Sequence, residues 1–146
     1  MRKLRTILAW FAAVVVTAIT GSMIQTQFNL AMIQQLGAPV PVGIRLETTL
    51  QDLAGFAPTY ALLVAAGFLV ALPVSGLLTR VWPLGRVALH ALAGGVAIAV
   101  ALLVMNALLP ATVIGAARFP AGIAALSLAG VLGGFLFALW TRPQTA

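Results

Sequence analysis

The sequence predicts an all-α integral membrane protein with four transmembrane helices, and three observations carry that prediction. The chain is 62% apolar and 7% charged, with a mean hydropathy of +1.13. A soluble surface needs about a quarter of its residues charged, and eight basic and two acidic side chains cannot provide that. Residues 57–79 then run 23 positions without a charge. As a helix this stretch covers about 35 Å, enough for a hydrocarbon core of about 30 Å with some tilt. Finally, three comparable stretches accompany it, and basic residues stand at their ends. The predicted spans are 7–24, 57–79, 87–109 and 121–140, within a single membrane domain of residues 1–146 that leaves no room for a soluble one.

The net charge of +6 forms no patch of its own, so it reads as topology and lipid-headgroup signalling and not as a nucleic-acid footprint. Arg2, Lys3, Arg5, Arg80, Arg86 and Arg142 fall on one side of the predicted spans, and Arg45 and Arg118 on the other. Six against two over short loops predicts both termini in the cytoplasm. Seven arginines to one lysine, with abundant Ala and Gly, suggest a GC-rich bacterial genome, hence the cytoplasmic (inner) membrane. Absence of cysteine removes disulfides and thiolate chemistry.

The first span opens on a basic Met1–Arg5 and has no small-residue cleavage pattern after Thr17, so it is expected to be retained. The outer stretch 25–56 follows. Its amide-rich run, Gln25 to Gln35, places Ile24, Phe28, Ala31 and Met32 on one helical face, with Gln25, Asn29 and Gln35 off it. That run either prolongs the first helix or lies flat at the interface. Gly37 and Pro39 stop it, and alternation of Val40, Val42, Ile44 and Leu46 predicts an extended piece. Leu46, Leu50 and Leu53 predict a short amphipathic helix before the second span. Pro73 frees the carbonyl of Leu69 and is expected to kink the second span. Residues 80–86 form a tight turn, 110–120 a short outer loop, and Trp140 closes the fourth span at headgroup level.

In lipid, helices associate through close backbone approach at small residues. The fourth span carries two such stripes, one through Gly122, Ala129 and Gly133 and one through Gly130 and Gly134, so two neighbours are expected. Gly94 and Ala97 supply a matching stripe on the third. His90 is the one titratable side chain well inside a span. It is either a relay or ligand-binding group, or a neutral imidazole bonded to a backbone carbonyl or to Thr17, Thr20 or Ser75. With no second His and no Cys, a metal site is not expected. Glu47 and Asp52 are five apart, a spacing that does not converge two carboxyls on one bond. Together with Arg45 and Arg118 they form a candidate rim for a lipid headgroup or other ligand at the outer face. No phosphate loop, metalloprotease or nucleophile-elbow pattern occurs, so no catalytic residue is assigned and an enzyme is not favoured.

These residues point first to a non-enzymatic accessory or assembly subunit that docks on itself or on a larger membrane protein. An oligomeric channel or transporter using His90 is the first alternative. A lipid- or quinone-binding protein or enzyme, with its headgroup site at the outer face, is the second. No cofactor is required, and membrane lipids are the expected partners.

Overall fold

The computed structural model describes residues 2–142, with the side chains of Arg2 and Leu84 left out. Four helices account for most of them: α1 (Arg2–Gln35), α2 (Val42–Val81), α3 (Arg86–Leu108) and α4 (Pro120–Trp140). All four are long and apolar enough to cross a membrane. Short 3₁₀ turns, Pro83–Gly85 and Gly115–Arg118, sit in the second and third connections. The tail 143–146 lies outside the described residues.

The ends of the third and fourth spans agree with the expected ones to within a residue. Pro120 sits in the first turn of α4, where its missing N–H costs nothing because that donor has no intrahelical acceptor. The outer stretch departs from expectation. Residues 25–35 continue α1 without a break, and Gly37, at φ 88°, provides the left-handed residue that ends it. Extended backbone is confined to the few residues before Val42. Pro41 (φ −65°, ψ 161°) precedes the first turn of α2, so Val42, Gly43, Ile44 and Leu46 are helical, against the alternation signal. Proline disfavours the α region for the residue before it but starts a helix readily. The expected short helix and second span are therefore one 40-residue helix with Pro58 and Pro73 inside it.

Relative to the apolar spans, α1 continues about 16 Å past Ile24 and α2 begins about 22 Å before Ala57, at 1.5 Å per residue. The two extensions pair as an antiparallel hairpin. Thr26 Oγ1 donates to Asp52 Oδ2 at 2.6 Å, and Arg45 donates to Gln27 and, at 3.2 Å, to Gln34.

Cross-helix contacts give the bundle order. Gly21 lies under the Tyr60 ring, Gly67 faces Ala97, Gly94 meets Gly130, and Thr17 Oγ1 approaches Ala129 O at 3.3 Å. Each helix is thus antiparallel to the next, and α4 closes the ring against α1. Tyr60, Val64, Phe68, Leu72, Ile98, Leu102 and Leu126 fill the centre, each at most 2% exposed. In lipid this core is held by shape fit and dispersion, because lipid tails are as apolar as the core.

The small-residue stripes decide where helices touch. A Cβ on Gly94 would fall on Gly130 O, one on Gly130 on Gly94 O, and one on Gly134 on His90 O. Backbone therefore meets backbone along α3 and α4. Gly133 and Ala129, on the adjacent stripe, face Ala13 and Thr17 of α1. Gly122 packs against the carbonyl of Ala116 in its own preceding turn, not against another span.

The amide-rich run has a structural use. Gln25, 5% exposed, turns inward and accepts from Ala116 N–H at 2.8 Å, while Asn106 donates to Ala117 O at 2.9 Å. Together they clamp the turn between α3 and α4. Replacing Gln25 by Leu leaves the Ala116 N–H buried without an acceptor, at a cost of about 1–3 kcal/mol. Faster amide exchange confined to 114–119 in Gln25→Leu is the expected result; unchanged protection there would remove the clamp.

Candidate functional site

The antiparallel order brings the start of α1, the end of α2, the start of α3 and the end of α4 to one end of the bundle. There the helices enclose a half-open cavity of about 840 Å³. Its size is that of a small-molecule pocket, for which about 300–1,000 Å³ is typical. α1 supplies Arg5, Thr6 and Trp10; α2 supplies Leu69, Leu72, Pro73, Gly76 and Thr79 along one face. α3 contributes Arg86 and His90, and α4 contributes Phe137 with Thr141 and Arg142 just beyond. Apolar walls lie toward the bundle centre and cationic groups toward the chain ends, an amphiphilic gradient along one cavity.

His90 is 2% exposed, and its ring stacks on Phe137 with centroids 5.4 Å apart at 24°. Nδ1 lies 2.8 Å from Arg86 O. A carbonyl only accepts, so Nδ1 carries the proton and Nε2 of the neutral ring is an acceptor. Of the two alternatives from the sequence, the carbonyl bond is present, and the ring also lines the cavity. Thr17 and Ser75 have other partners: Ala129 O and, for Ser75 Oγ, Leu72 O at 2.9 Å.

Arg86 is held by the end of α4. It donates to Ala138 O at 2.7 Å, to Thr141 O at 3.1 Å and to Thr141 Oγ1 at 2.6 Å. These are carbonyls that a helix C-terminus leaves without intrahelical donors. Arg142 is close enough for its charge to act on Arg86. Among the described residues no protein group bonds the guanidinium of Arg5 or Arg142. The indole N–H of Trp10, in the cavity wall, is likewise buried without an acceptor.

The candidate outer rim is not gathered. Arg45 and Asp52 are taken up in the α1–α2 hairpin by neutral partners, and exposed Glu47 accepts from Gln51 at 3.1 Å. Arg118 ends a separate turn on the far side of α1. Pro73 and His90 line the same cavity. Arg5, Arg86, Arg142, Thr79 and Trp10 were not singled out as a site, because basic residues at span ends read as topology. The available signal was the company they keep: the chain's two acids both lie in the outer stretch, so six cations share an end without a carboxylate side chain. Among the described residues no three His, Asp or Glu side chains converge as a metal site.

A second concavity, about 610 Å³, lies between α2 and α3 from Gly67 and Ala97 to Leu78 and Leu89. It is almost wholly apolar and opens sideways, where lipid tails suffice to fill it.

Compared with protein-family models, with curated proteins and with solved structures, the chain matches none.

Proposed function

We propose that this chain is a non-catalytic multi-pass protein of a bacterial cytoplasmic membrane that binds an amphiphilic small molecule. The carrying observation is the cavity at the basic end, apolar inside and cationic at its mouth. The six-to-two charge distribution supports placing that end, and both termini, in the cytoplasm. The ligand site is therefore at the opposite end from the rim suggested by Arg45, Glu47, Asp52 and Arg118. Among the described lining residues His90 offers one acceptor, and no carboxylate stands beside it to orient it as a base for the threonine hydroxyls.

Native mass spectrometry of protein released from mild detergent tests this. A monomer carrying one small molecule, lost together with thermal stability on delipidation, is the expected result. A ligand-free protein whose stability is indifferent to delipidation would reject it.

A role as an accessory subunit is favoured by a different observation, the tip of the α1–α2 hairpin. Residues 28–44 carry no charge, and Leu36 and Val42 are 86% and 81% exposed. A tip of that kind beyond the membrane suits a partner's apolar surface. Photo-cross-linking from position 36 in cells should capture a second protein if it docks there; labelling of lipid alone would count against docking. A channel along the bundle axis has less to rest on, since Val64, Phe68, Leu72, Ile98 and Leu126 fill the centre.

A further inference from the structure

Resting on that amphiphile-binding reading, we infer that the cavity selects a lipid whose headgroup is an uncompensated phosphate bearing at least one O–H, clamped between Arg5 and Arg142. Three independent features of the cavity specify this chemistry.

Charge comes first. Arg86 and Arg142 are close enough to repel, Arg5 lines the same cavity, and no acidic side chain of the chain is at this end. Arg86 is committed to the α4 carbonyls, which leaves Arg5 and Arg142 with five N–H donors each and no described protein acceptor. Two guanidinium groups facing one space suit a phosphate, whose oxygens accept paired N–H bonds. Among the described residues no carboxylate offsets these cations, and the inner leaflet offers anionic headgroups in quantity.

Polarity of the remaining groups comes second. Among the threonine hydroxyls and guanidinium donors of the wall, His90 adds Nε2 as an acceptor without a proton, fixed by the Nδ1–H bond to Arg86 O. A ligand that satisfies it must bring a hydrogen, which a phosphomonoester or a phosphoglycerol group has and a phosphocholine lacks. Shape comes third. The apolar side has Leu72 and Phe137 buried within and Ile7 and Leu69 on its exposed flank, so the anion carries an acyl chain and is not free in water.

The test uses the full chain in phosphocholine nanodiscs, titrated with dioleoyl phosphatidic acid, dioleoyl phosphatidylglycerol or inorganic phosphate, and read by native mass spectrometry. One anionic lipid per chain, preferred over phosphocholine by about tenfold or more, is expected, the usual scale for charge-assisted hydrogen bonds. In Arg5→Gln/Arg142→Gln the preference should fall to near unity. Neither side chain holds another residue in place, so the variant's unfolding midpoint in pure phosphocholine should match the parent or lie slightly above it, from relief of the Arg86–Arg142 repulsion. Arg80→Gln removes one charge at the same end but outside the cavity wall, and should keep the preference. Equal loss in Arg80→Gln would reduce the effect to surface charge and overturn the clamp. Phosphocholine retained as well as the anionic lipids would overturn the phosphate assignment while leaving amphiphile binding intact. Inorganic phosphate retained with no lipid would overturn the lipid part. Absence of any bound lipid would reject the amphiphile reading itself.

Discussion

Gly130→Leu should unfold more readily than the parent, by about 3 kcal/mol, the upper range for overpacking. A Cβ at Gly130 falls on the carbonyl oxygen of Gly94 and within 2.6 Å of Ile98 Cγ1. A flexible side chain could swing aside, but a helix backbone cannot. Relief therefore requires α3 and α4 to separate along their shared seam, which also pulls Gly134 from His90 O and Phe137 from the His90 ring. In lipid nothing replaces the lost contact except acyl chains, so the cost is forfeited packing. Gly55 provides the control. It lies in α2, and a methyl group added there would meet nothing within 4 Å, so Gly55→Ala should stabilise by about 0.5–1 kcal/mol through helix propensity alone. Reversible unfolding in mixed detergent reads both. An unchanged midpoint for Gly130→Leu would mean that α3 and α4 are not in backbone contact, and the bundle order would fall with it.

How much of this was legible in the sequence depends on which physical signal each feature leaves. Four long apolar helices were, because a run without charge of bilayer length has few other uses. The packing faces of α4 were legible in part: small residues at helical spacing in an apolar helix leave packing as their main use, and Gly130 and Gly134 meet α3 while Ala129 and Gly133 meet α1, but Gly122 reaches no other span. The outer stretch was misdivided for a definite reason. Prolines at 39 and 41 and alternating Val40, Val42, Ile44 and Leu46 carry the pattern of a strand, but Pro41 is equally compatible with opening a helix. Only pairing with α1, through Thr26 and Asp52 and through Arg45 with Gln27 and Gln34, makes the helical choice worthwhile. Inward rotation of Gln25 escaped because the face was read from apolar periodicity. Ser22, Gln25, Thr26 and Asn29 sit at i, i+3, i+4 and i+7, and in a span polar periodicity marks the protein-facing side. The cavity was legible only in part. His90 and Pro73 stood out, but Arg5, Arg86 and Arg142 are separated by up to 137 positions, and only the antiparallel closure of α4 on α1 brings them together.

Arg86→Ala should destabilise the chain by about 2 kcal/mol and loosen the last turn of α4, and the sign follows from weighing two opposed effects. Three guanidinium hydrogen bonds to Ala138 O, Thr141 O and Thr141 Oγ1 are lost. Bonds involving a charged group contribute about 1.5–3 kcal/mol when one partner is removed. Water reaches this end of the helix and replaces part of that, since Thr141 is only half-buried. On the other side, removing Arg86 relieves its repulsion with Arg142, which is exposed and so worth no more than about 0.5 kcal/mol. The hydrogen bonds win. Arg86→Lys should recover little, because one ammonium cannot reach along three acceptors as a planar fork does. Amide exchange across 137–141 should quicken in Arg86→Ala while 122–134 stays protected, which separates a frayed end from a general loss of packing. The two contributions also part company in salt. Screening acts on the repulsion between Arg86 and Arg142 and hardly touches short hydrogen bonds, so added salt should stabilise the parent slightly in phosphocholine and leave Arg86→Ala unmoved. A parent destabilised by salt under those conditions would show that Arg142 is held by an anion the preparation retained, which is the occupant inferred for the cavity.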